Sequence, residues 1–370
     1  MEIQKVLKRV CLRWGMFAMI GGGAVFALDG PAPADENMRE VKVENLPTYD
    51  VPECTVKDHG TPAKNVILMI GDGMGTEHIW AAWMLNHGKG FILSMPVTGF
   101  SITTSATHTI TDSAAGGTAL ACGQKTANRF LGMAPDKKPL ENLAEYYRAK
   151  GKSTGIVLTK DVTDATPAAF YAHVDDRGKK KEIAKALVDA KFTVIYGGGA
   201  KSISEEQKKA IAEAGTVAEF THDANPPKVA ERGEDYLCHY VGSALEVLGQ
   251  NPKGFFLMVE GSKIDHYAHD CRARETLHEM LDFDRAVGVV LEWMKQHPDT
   301  LLVVTADHQT GGLAIKDGNK EKGSVRVIFG THSHSGFAVP VFAAGNGAGK
   351  FSGVLDNTEV SRRLRSEKEE

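Results

Sequence analysis

Several carboxylates and histidines of this 370-residue chain directly follow short apolar runs. Each apolar run is typical of a buried strand, and the turn after it carries the polar group. In an open α/β sheet, ligands bind in the crevice outside the carboxyl ends of the strands, so these side chains are expected to meet at one edge. The groups are Asp72 in "NVILMIGDGMG", Glu260 and Asp265 in "GFFLMVEGSKIDHYAH", and Asp307 with His308 in "TLLVVTADHQTGG".

Taken one at a time, these motifs have ordinary explanations. Asp72 in "GDGMG" is equally typical of a turn, since Asp and Gly are common turn formers. An Asp-His pair after a strand is more often a cap or a hydrogen-bonded surface pair than a metal site. The conjunction of the motifs favours a ligand site, because all of them follow predicted strands.

The spacing of Asp265 and His269 points to a metal more specifically. Side chains four residues apart on a helix project from the same face and can reach one ion; the alternative is a helical ion pair that faces solvent. His334, in the loop of "GTHSHSGFAVPV", can supply a third ligand from a different element. Carboxylate and imidazole together suit zinc, whereas the oxygens of Asp72 and Glu260 suit magnesium. The sequence therefore predicts a mixed metal centre.

The stretch "HTITDSAAGGTALACG" sets Asp112 and Ser113 directly before a run of very small side chains. If Ser113 opens a helix, its hydroxyl lies where free backbone N–H groups and the helix dipole favour an anion. Small side chains there would let a phosphate and metal ions come close. The alternative is that Asp112 or Ser113 is an ordinary N-cap.

The elements that must position these groups alternate along the chain. Strands that are apolar throughout and separated by segments of helical spacing imply a largely parallel sheet covered on both faces. The predicted fold class is α/β, a mostly parallel central sheet sandwiched by helices, in one domain. The predicted strands are "NVILMI", "STGIVLT", "FTVIYGGG", "GFFLMVEG", "TLLVVTADH" and "AVPVFAAG", and the predicted helices are "PLENLAEYYRAKG", "KKKEIAKALVDA", "SEEQKKAIAEAG" and residues 267–296.

The N-terminal part of the chain has a different character. Residues 1–27 are typical of a secretory signal peptide, with basic residues ahead of an apolar stretch and cleavage expected after Ala27. A retained membrane anchor is the alternative, and either way the rest of the chain is expected to be exported, periplasmic or secreted. Residues 28–60 are polar and punctuated by prolines, so they are predicted to form a linker or surface arm. Residues 61–370 are then predicted to be the domain that carries the site.

The charge and the cysteine content of the chain limit its partners and its disulfides. Lys plus Arg number 43 against 47 Asp plus Glu, so nucleic acid is not expected as a main partner. Cys54, Cys122, Cys238 and Cys271 follow the predicted signal. In an exported protein they could form up to two disulfides, and the sequence leaves their pairing open.

The chain resembles the alkaline phosphatases from about residue 65 to about residue 345. Ordered motifs carry the resemblance: "NVILMIGDGMG", "TDSAAGGTALACGQKT", "DATPAAFYAHVDDR", "VEGSKIDHYAH", "TADHQTGG" and "HSG". It implies hydrolysis of small-molecule phosphate monoesters of broad specificity, with Ser113 as the nucleophile that becomes phosphoserine. It also implies that Asp112 and Arg177 bind substrate, and the planar fork of an arginine suits two phosphate oxygens.

By the same resemblance, the site holds two zinc ions and one magnesium ion, and the protein is a homodimer. The implied ligands are Asp265, His269 and His334 for one zinc, Asp72, Asp307, His308 and Ser113 for the other, and Asp72, Thr166 and Glu260 for magnesium. Asp164 and His266 fall at positions that tune the third site and phosphate release. With an imidazole at position 266, the third site could take zinc instead of magnesium.

Two other functions compete with this interpretation. A phosphodiesterase of the same superfamily would keep the metals and change the substrate, but diesterases tend to have Thr as nucleophile where this chain has Ser113. A non-catalytic exported protein that binds zinc or phosphate would bind metal without turnover. The presence of both Ser113 and Arg177 argues against it.

Overall fold

The computed structural model describes residues 40–365, which lie in one compact unit. The predicted signal segment 1–27 and residues 28–39 lie outside the described residues. Among the described helices, none combines the length and apolar character that crossing a bilayer requires.

Strands and helices alternate through most of this unit. The strands are β1 (Val41–Glu44), β2 (Asn65–Gly71), β3 (Val97–Ile102), β4 (Ser153–Asp161), β5 (Val194–Gly198), β6 (Val217–Phe220), β7 (Phe255–Gly261), β8 (Thr300–Thr305), β9 (Gln309–Thr310), β10 (Ala314–Asn319), β11 (Ser324–Ile328), β12 (His334–Ser335), β13 (Val339–Gly345) and β14 (Gly353–Asp356). The helices are α1 (Thr76–Leu85), α2 (Ser113–Cys122), α3 (Leu143–Ala149), α4 (Ala165–Ala168), α5 (Lys180–Asp189), α6 (Glu205–Glu213), α7 (Val229–Arg232), α8 (Tyr236–Leu248), α9 (Lys263–His269), α10 (Ala273–Met294) and α11 (Asn357–Leu364), with short 3₁₀ turns at Ile92–Ser94 and Ala348–Phe351.

The central sheet of the described region has strand order β14-β3-β13-β8-β2-β7-β4-β5-β6. Neighbouring strands are parallel except where β13 pairs with β3 and with β8. The predicted α/β fold with a mostly parallel central sheet is therefore confirmed. Two smaller antiparallel sheets, β1-β11-β10 and β12-β9, lie outside it.

Side chains that alternate along the central strands fill a core on each face of the sheet. On β2, Ile67 and Met69 belong to one apolar cluster, and Val66 and Leu68 belong to the other. The first cluster includes α10 residues and the second includes α2 residues. Burial on both faces explains why these strands are apolar at every position.

The described part of the predicted linker or arm, residues 40–60, contains the strand β1. Val41–Glu44 pairs antiparallel with β11, and Val43 is buried. Further along, the Tyr49 hydroxyl donates a hydrogen bond to Asp284 at 2.8 Å. This part of the sequence has no lasting apolar period that would predict a strand. Strand β1 forms because it pairs with β11, which lies far along the chain.

The predicted helix over 267–296 is divided into two. Helix α9 ends at His269 and α10 begins at Ala273, with Cys271 between them at a φ of 53°. That left-handed backbone conformation cannot continue a right-handed helix. No disulfide joins two cysteines of the described region.

Candidate active site

Three neighbouring strands carry the acids to one edge of the sheet. Asp72 follows the end of β2, Glu260 lies next to the last residue of β7, and Asp307 follows β8. Strand β2 lies between the other two and is parallel to both, with Ile70 in register with Glu260 and Thr305. The carboxyl ends of the strands therefore meet at one edge, as the sequence analysis expected.

Asp265, His269 and His334 form the first of two ligand clusters. The His269 Nε2 atom lies 3.2 Å from Asp265 Oδ1 and 3.2 Å from His334 Nε2. The third side of the triangle, from His334 Nε2 to Asp265 Oδ1, measures 3.6 Å. Ligands bonded to zinc at about 2.0 Å in a tetrahedron lie about 3.3 Å from one another. The three atoms thus have the spacing of zinc ligands.

The backbone fixes the orientation of both histidines in this cluster. The Nδ1 atom of His269 lies 2.6 Å from the His332 carbonyl oxygen, and that of His334 lies 2.8 Å from the Thr111 carbonyl oxygen. A neutral imidazole that donates from Nδ1 keeps a lone pair on Nε2. Both lone pairs are then directed to the point that the cluster surrounds.

Asp72, Asp307 and His308 form the second cluster, next to Ser113. The His308 Nε2 atom lies 3.6 Å from Asp72 Oδ1, 3.3 Å from Asp307 Oδ2 and 3.1 Å from Ser113 Oγ. All three ligand residues are fully buried. Thr310 links the two clusters, because its hydroxyl donates to Asp265 at 2.6 Å and lies 3.2 Å from His308 Nδ1.

Many oxygens around the second cluster have no hydrogen-bond partner. Both carboxylate oxygens of Asp72 and Glu260, Asp307 Oδ2 and Thr166 Oγ1 are buried without one. Burial raises the pKa of Glu260 to about 8 and that of Asp307 to about 7, and it raises the pKa of Asp72 well above its ordinary value. Unpartnered buried carboxylates are costly, so these groups indicate that cations bind here.

Helix α2 begins at the site, with Ser113 as its first residue. Asp112 caps the helix by accepting a hydrogen bond from the Ala115 N–H at 3.0 Å, so the N-cap interpretation is confirmed, and the active-site interpretation of Ser113 stays a prediction. Arg177 lies in another segment, and its guanidinium nitrogens are 3.5 Å from Asp112 Oδ2 and 3.6 Å from Asp164 Oδ1. The guanidinium and the helix N-terminus together form a place for an anion beside the Ser113 hydroxyl.

The small residues of α2 serve the packing of this helix. A Cβ atom on Gly116 would lie 2.8 Å from the Asp307 carbonyl oxygen, and one on Gly117 would lie 3.4 Å from the Thr166 Cα atom. A larger residue at position 116 would push the helix away from the segment that carries Asp307. The run of small side chains therefore lets Ser113 approach the ligand clusters.

The structure brings the predicted zinc ligands, Ser113, Asp112 and Arg177 together at this edge. His266 is exposed on α9, whereas its neighbour Asp265 is buried. Asp164 lies among the charges of the site. Burial raises its pKa, but Lys160 and Arg177 lower it by more, so its pKa is about 2. A tuning role for His266 stays a prediction.

Comparison with known proteins shows the family of this chain. The family model described as alkaline phosphatase matches residues 63–223 and 223–329. This chain belongs to the alkaline phosphatase family. It is 31% identical to alkaline phosphatase 4 of Bacillus subtilis (strain 168), over 80% of this chain and 87% of that protein. It is also 31% identical to streptomycin-6-phosphate phosphatase of Streptomyces griseus, over 83% of this chain and 90% of that protein.

A solved structure extends the likeness to the whole fold. The TAB5 alkaline phosphatase, from an Antarctic bacterium, superposes with a TM-score of 0.78 at 29% identity, in a mutant form with Mg bound in the M3 site. The alignment covers 84% of this chain and 98% of the TAB5 protein. As an alkaline phosphatase, the chain is a metal-binding phosphoric monoester hydrolase.

Lys160 is a site residue of this alkaline phosphatase that the sequence analysis missed. Its Nζ atom lies 3.2 Å from Asp164 Oδ2, 3.6 Å from Asp72 Oδ2 and 3.8 Å from Asp265 Oδ2. Burial alone would lower the pKa of Lys160, but these carboxylates raise it well above its ordinary value. In the sequence, a lysine after "STGIVLT" gives no signal beyond that of any polar residue near a strand end.

Proposed function

We propose that this alkaline phosphatase hydrolyses phosphate monoesters of broad specificity through a phosphoserine at Ser113, with two bound zinc ions. One observation carries the proposal. The Ser113 hydroxyl lies 3.1 Å from the His308 nitrogen, at the N-terminus of a helix and next to buried, unpartnered carboxylates. The residues around Ser113 can therefore bind a cation next to its hydroxyl oxygen.

The two clusters supply the ligands for the zinc ions. Asp265, His269 and His334 would hold one ion, and Asp72, Asp307 and His308 would hold the other beside Ser113. Zinc bound there would lower the pKa of a coordinated hydroxyl or water and would neutralise charge on phosphoryl and leaving oxygens.

The reaction proceeds in two displacements at phosphorus. In the first, Ser113 Oγ forms a bond to phosphorus as the bond to the leaving alcohol breaks, which gives phosphoserine. In the second, a water oxygen attacks the phosphoserine from the vacated side, inorganic phosphate leaves and Ser113 is restored. Arg177, placed between Asp112 and Asp164, would bind two phosphoryl oxygens through both steps.

We expect broad specificity because these residues contact only the phosphoryl group of the substrate. Ser113, Arg177 and the two clusters all act on the phosphoryl group, and none of them recognises the alcohol. One relative in the family is named for a single phosphorylated antibiotic, so specificity can differ among members.

The sequence analysis expected a third ion, magnesium or zinc, on Asp72, Thr166 and Glu260. Their oxygens are of the kind that magnesium prefers. The Lys160 ammonium lies among the same acids, however, and our proposal for the reaction uses no third metal ion. Export to the periplasm or medium and assembly into a homodimer are parts of the proposal that await their own tests.

The function can be tested with an aryl phosphate monoester and the matching diester. The full chain, supplied with zinc and magnesium, is expected to turn over the monoester faster at alkaline pH, and Ser113→Ala is expected to lose this activity while still binding zinc. Preference for the diester would make the protein a phosphodiesterase. Zinc binding without turnover of either ester would make it a scavenger.

A further inference from the structure

The Lys160 ammonium is enclosed by acids of the active site. Its nearest carboxylate oxygens belong to Asp164, Asp72 and Asp265, at 3.2, 3.6 and 3.8 Å. The side chain is only 12% exposed, so the charge is held inside the site. An ammonium carries three N–H donors around one positive charge, which matches three surrounding carboxylates.

The fold directs Lys160 to this place. Lys160 lies near the carboxyl end of β4, and β4 is parallel to β7 with Leu158 in register with Glu260. Both oxygens of Glu260 are buried without a hydrogen-bond partner. Among the charged neighbours of Glu260, Lys160 has the largest effect on its pKa, which it lowers. The lysine therefore contacts Asp72, one of the acids that the sequence analysis assigned to magnesium, and lies on the strand next to the other acid, Glu260.

We propose that the Lys160 ammonium is the third cation of this active site, held beside Asp72 and Asp164, and that it takes the place of the third metal ion expected on Asp72, Thr166 and Glu260. This inference rests on the proposed function, since it concerns the same two-zinc site. Lys160 contacts carboxylates, so it is a positioning residue: it holds Asp72 and Asp164 in place and offsets their charge.

A magnesium ion and this ammonium do not fit together. Magnesium needs a near-octahedral shell of oxygens at about 2.0–2.1 Å, and it usually keeps several waters. A protonated lysine has no lone pair to offer as a ligand. The side chain therefore excludes the ion that the acids alone would attract.

The direct test is to count metal ions in the full chain. The protein is dialysed to equilibrium against zinc and an excess of Mg²⁺, and bound metals are measured by mass spectrometry. The wild type is expected to hold two zinc ions and no magnesium. Lys160→Thr, which opens space for an ion and its waters, is expected to gain one magnesium ion per chain.

Activity variants separate the charge of Lys160 from its bulk. Lys160→Met fills the space without charge, so its kcat/KM is expected to fall about 10²-fold and not to recover with Mg²⁺. The kcat/KM of Lys160→Thr is expected to fall similarly without Mg²⁺ and to recover to within about tenfold of the wild-type value when Mg²⁺ is added. Lys180→Thr is the matched control, because Lys180 also reaches Asp164, at 3.8 Å, but is half exposed. It is expected to bind no magnesium.

The outcomes distinguish this proposal from the proposed function. A magnesium ion or a third zinc ion in the wild type, beside two zinc ions, would overturn the role of Lys160 and leave the reaction unaffected. Lys160→Thr that folds, holds two zinc ions and still binds no magnesium would also overturn it. A wild type that binds no zinc would overturn the proposed function, and this inference with it. The wild-type measurement needs no variant to fold.

Discussion

Two groups of buried charges in this protein are built in opposite ways. The first is the strand-end cluster, which we define as Asp72, Glu260 and Asp307. Both carboxylate oxygens of Asp72 and Glu260 are buried without a hydrogen-bond partner. The second is the helix cluster, Arg232 with Glu279 and Asp282.

Arg232 contacts both acids of the helix cluster directly. Its guanidinium donates to both oxygens of Glu279, at 2.9 and 2.7 Å, and to Asp282 at 2.7 Å. The Val229 N–H adds a further hydrogen bond to Glu279 at 3.2 Å. The arginine side chain is 0% exposed, so this network lies wholly inside the protein.

The difference shows what each cluster is for. In the helix cluster, three of the four carboxylate oxygens accept hydrogen bonds from an arginine of the chain, and such a network supports structure. A buried carboxylate without a partner lowers stability unless a cation binds it. The strand-end cluster therefore gives up stability in exchange for cation binding, whereas the acids of the helix cluster already contact a guanidinium.

Removal of a ligand from the zinc site gives the largest expected effect on catalysis. We expect His308→Ala to lower kcat/KM by about 10⁴-fold, since a metal-bound oxygen gains several kcal/mol of charge stabilisation. Metal analysis is expected to show the loss of a zinc ion. His297→Ala, a half-buried histidine stacked on Trp293, is the control and is expected to keep both zinc ions. A His308→Ala protein with full zinc content and near-normal turnover would contradict the site.

Disruption of the helix cluster is expected to affect stability instead. Arg232→Met leaves Glu279 and Asp282 buried without their cation, which is expected to lower the free energy of unfolding by about 3–5 kcal/mol. Denaturant unfolding measures this loss, and turnover per folded molecule is expected to stay the same. Arg326→Met, which breaks an exposed pair with Asp317, is expected to cost less. Equal losses for the two variants would remove the contrast between buried and exposed pairs.

Loss of Arg177 is expected to have a smaller effect than loss of a zinc ligand. Arg177→Ala removes one electrostatic contact to the phosphoryl group, so kcat/KM is expected to fall about 10²–10³-fold with zinc content unchanged. Steady-state kinetics beside His269→Ala gives the comparison. A greater loss in Arg177→Ala than in His269→Ala would reverse the ranking.

An ion pair outside both clusters gives the smallest effect. His173 Nε2 lies 2.9 Å from Glu145, whose hydrogen bond raises the pKa of His173 above its ordinary value. Such a pair stabilises fully below the unfolded histidine pKa of about 6.5, and its contribution is lost as pH rises through the folded pKa. We expect His173→Gln to cost below about 1 kcal/mol at pH 5.5 and less at pH 8.5, measured by denaturant unfolding. A cost that grows with pH would contradict the assigned sign.

The sequence predicts the sheet better than it predicts the direction of every strand. Apolar runs such as "NVILMI" identify strands because both faces of the sheet are covered. An apolar run reads the same in either direction, so the antiparallel placement of β13 could not be predicted from "AVPVFAAG". Strand β1 was missed because its partner, β11, lies far along the chain.

The candidate site shows the same limit. The metal-binding character of Asp265 and His269 could be inferred from their spacing, since one helical turn brings both to one face. Thr166 and Arg177 came only from the resemblance to a family. Lys160 came from neither, because its role depends on Asp72 and Asp164 being brought to it by other parts of the fold.

The most direct test of the account is to trap the covalent intermediate. The zinc-loaded protein is mixed with a phosphate monoester, quenched in acid, digested and examined by mass spectrometry. We expect one phosphoryl group per active chain, on Ser113, and none in Ser113→Ala, which should still bind zinc. Rapid turnover without phosphate on Ser113, or a stoichiometric phosphoserine that persists in Ser113→Ala, would contradict the central claim.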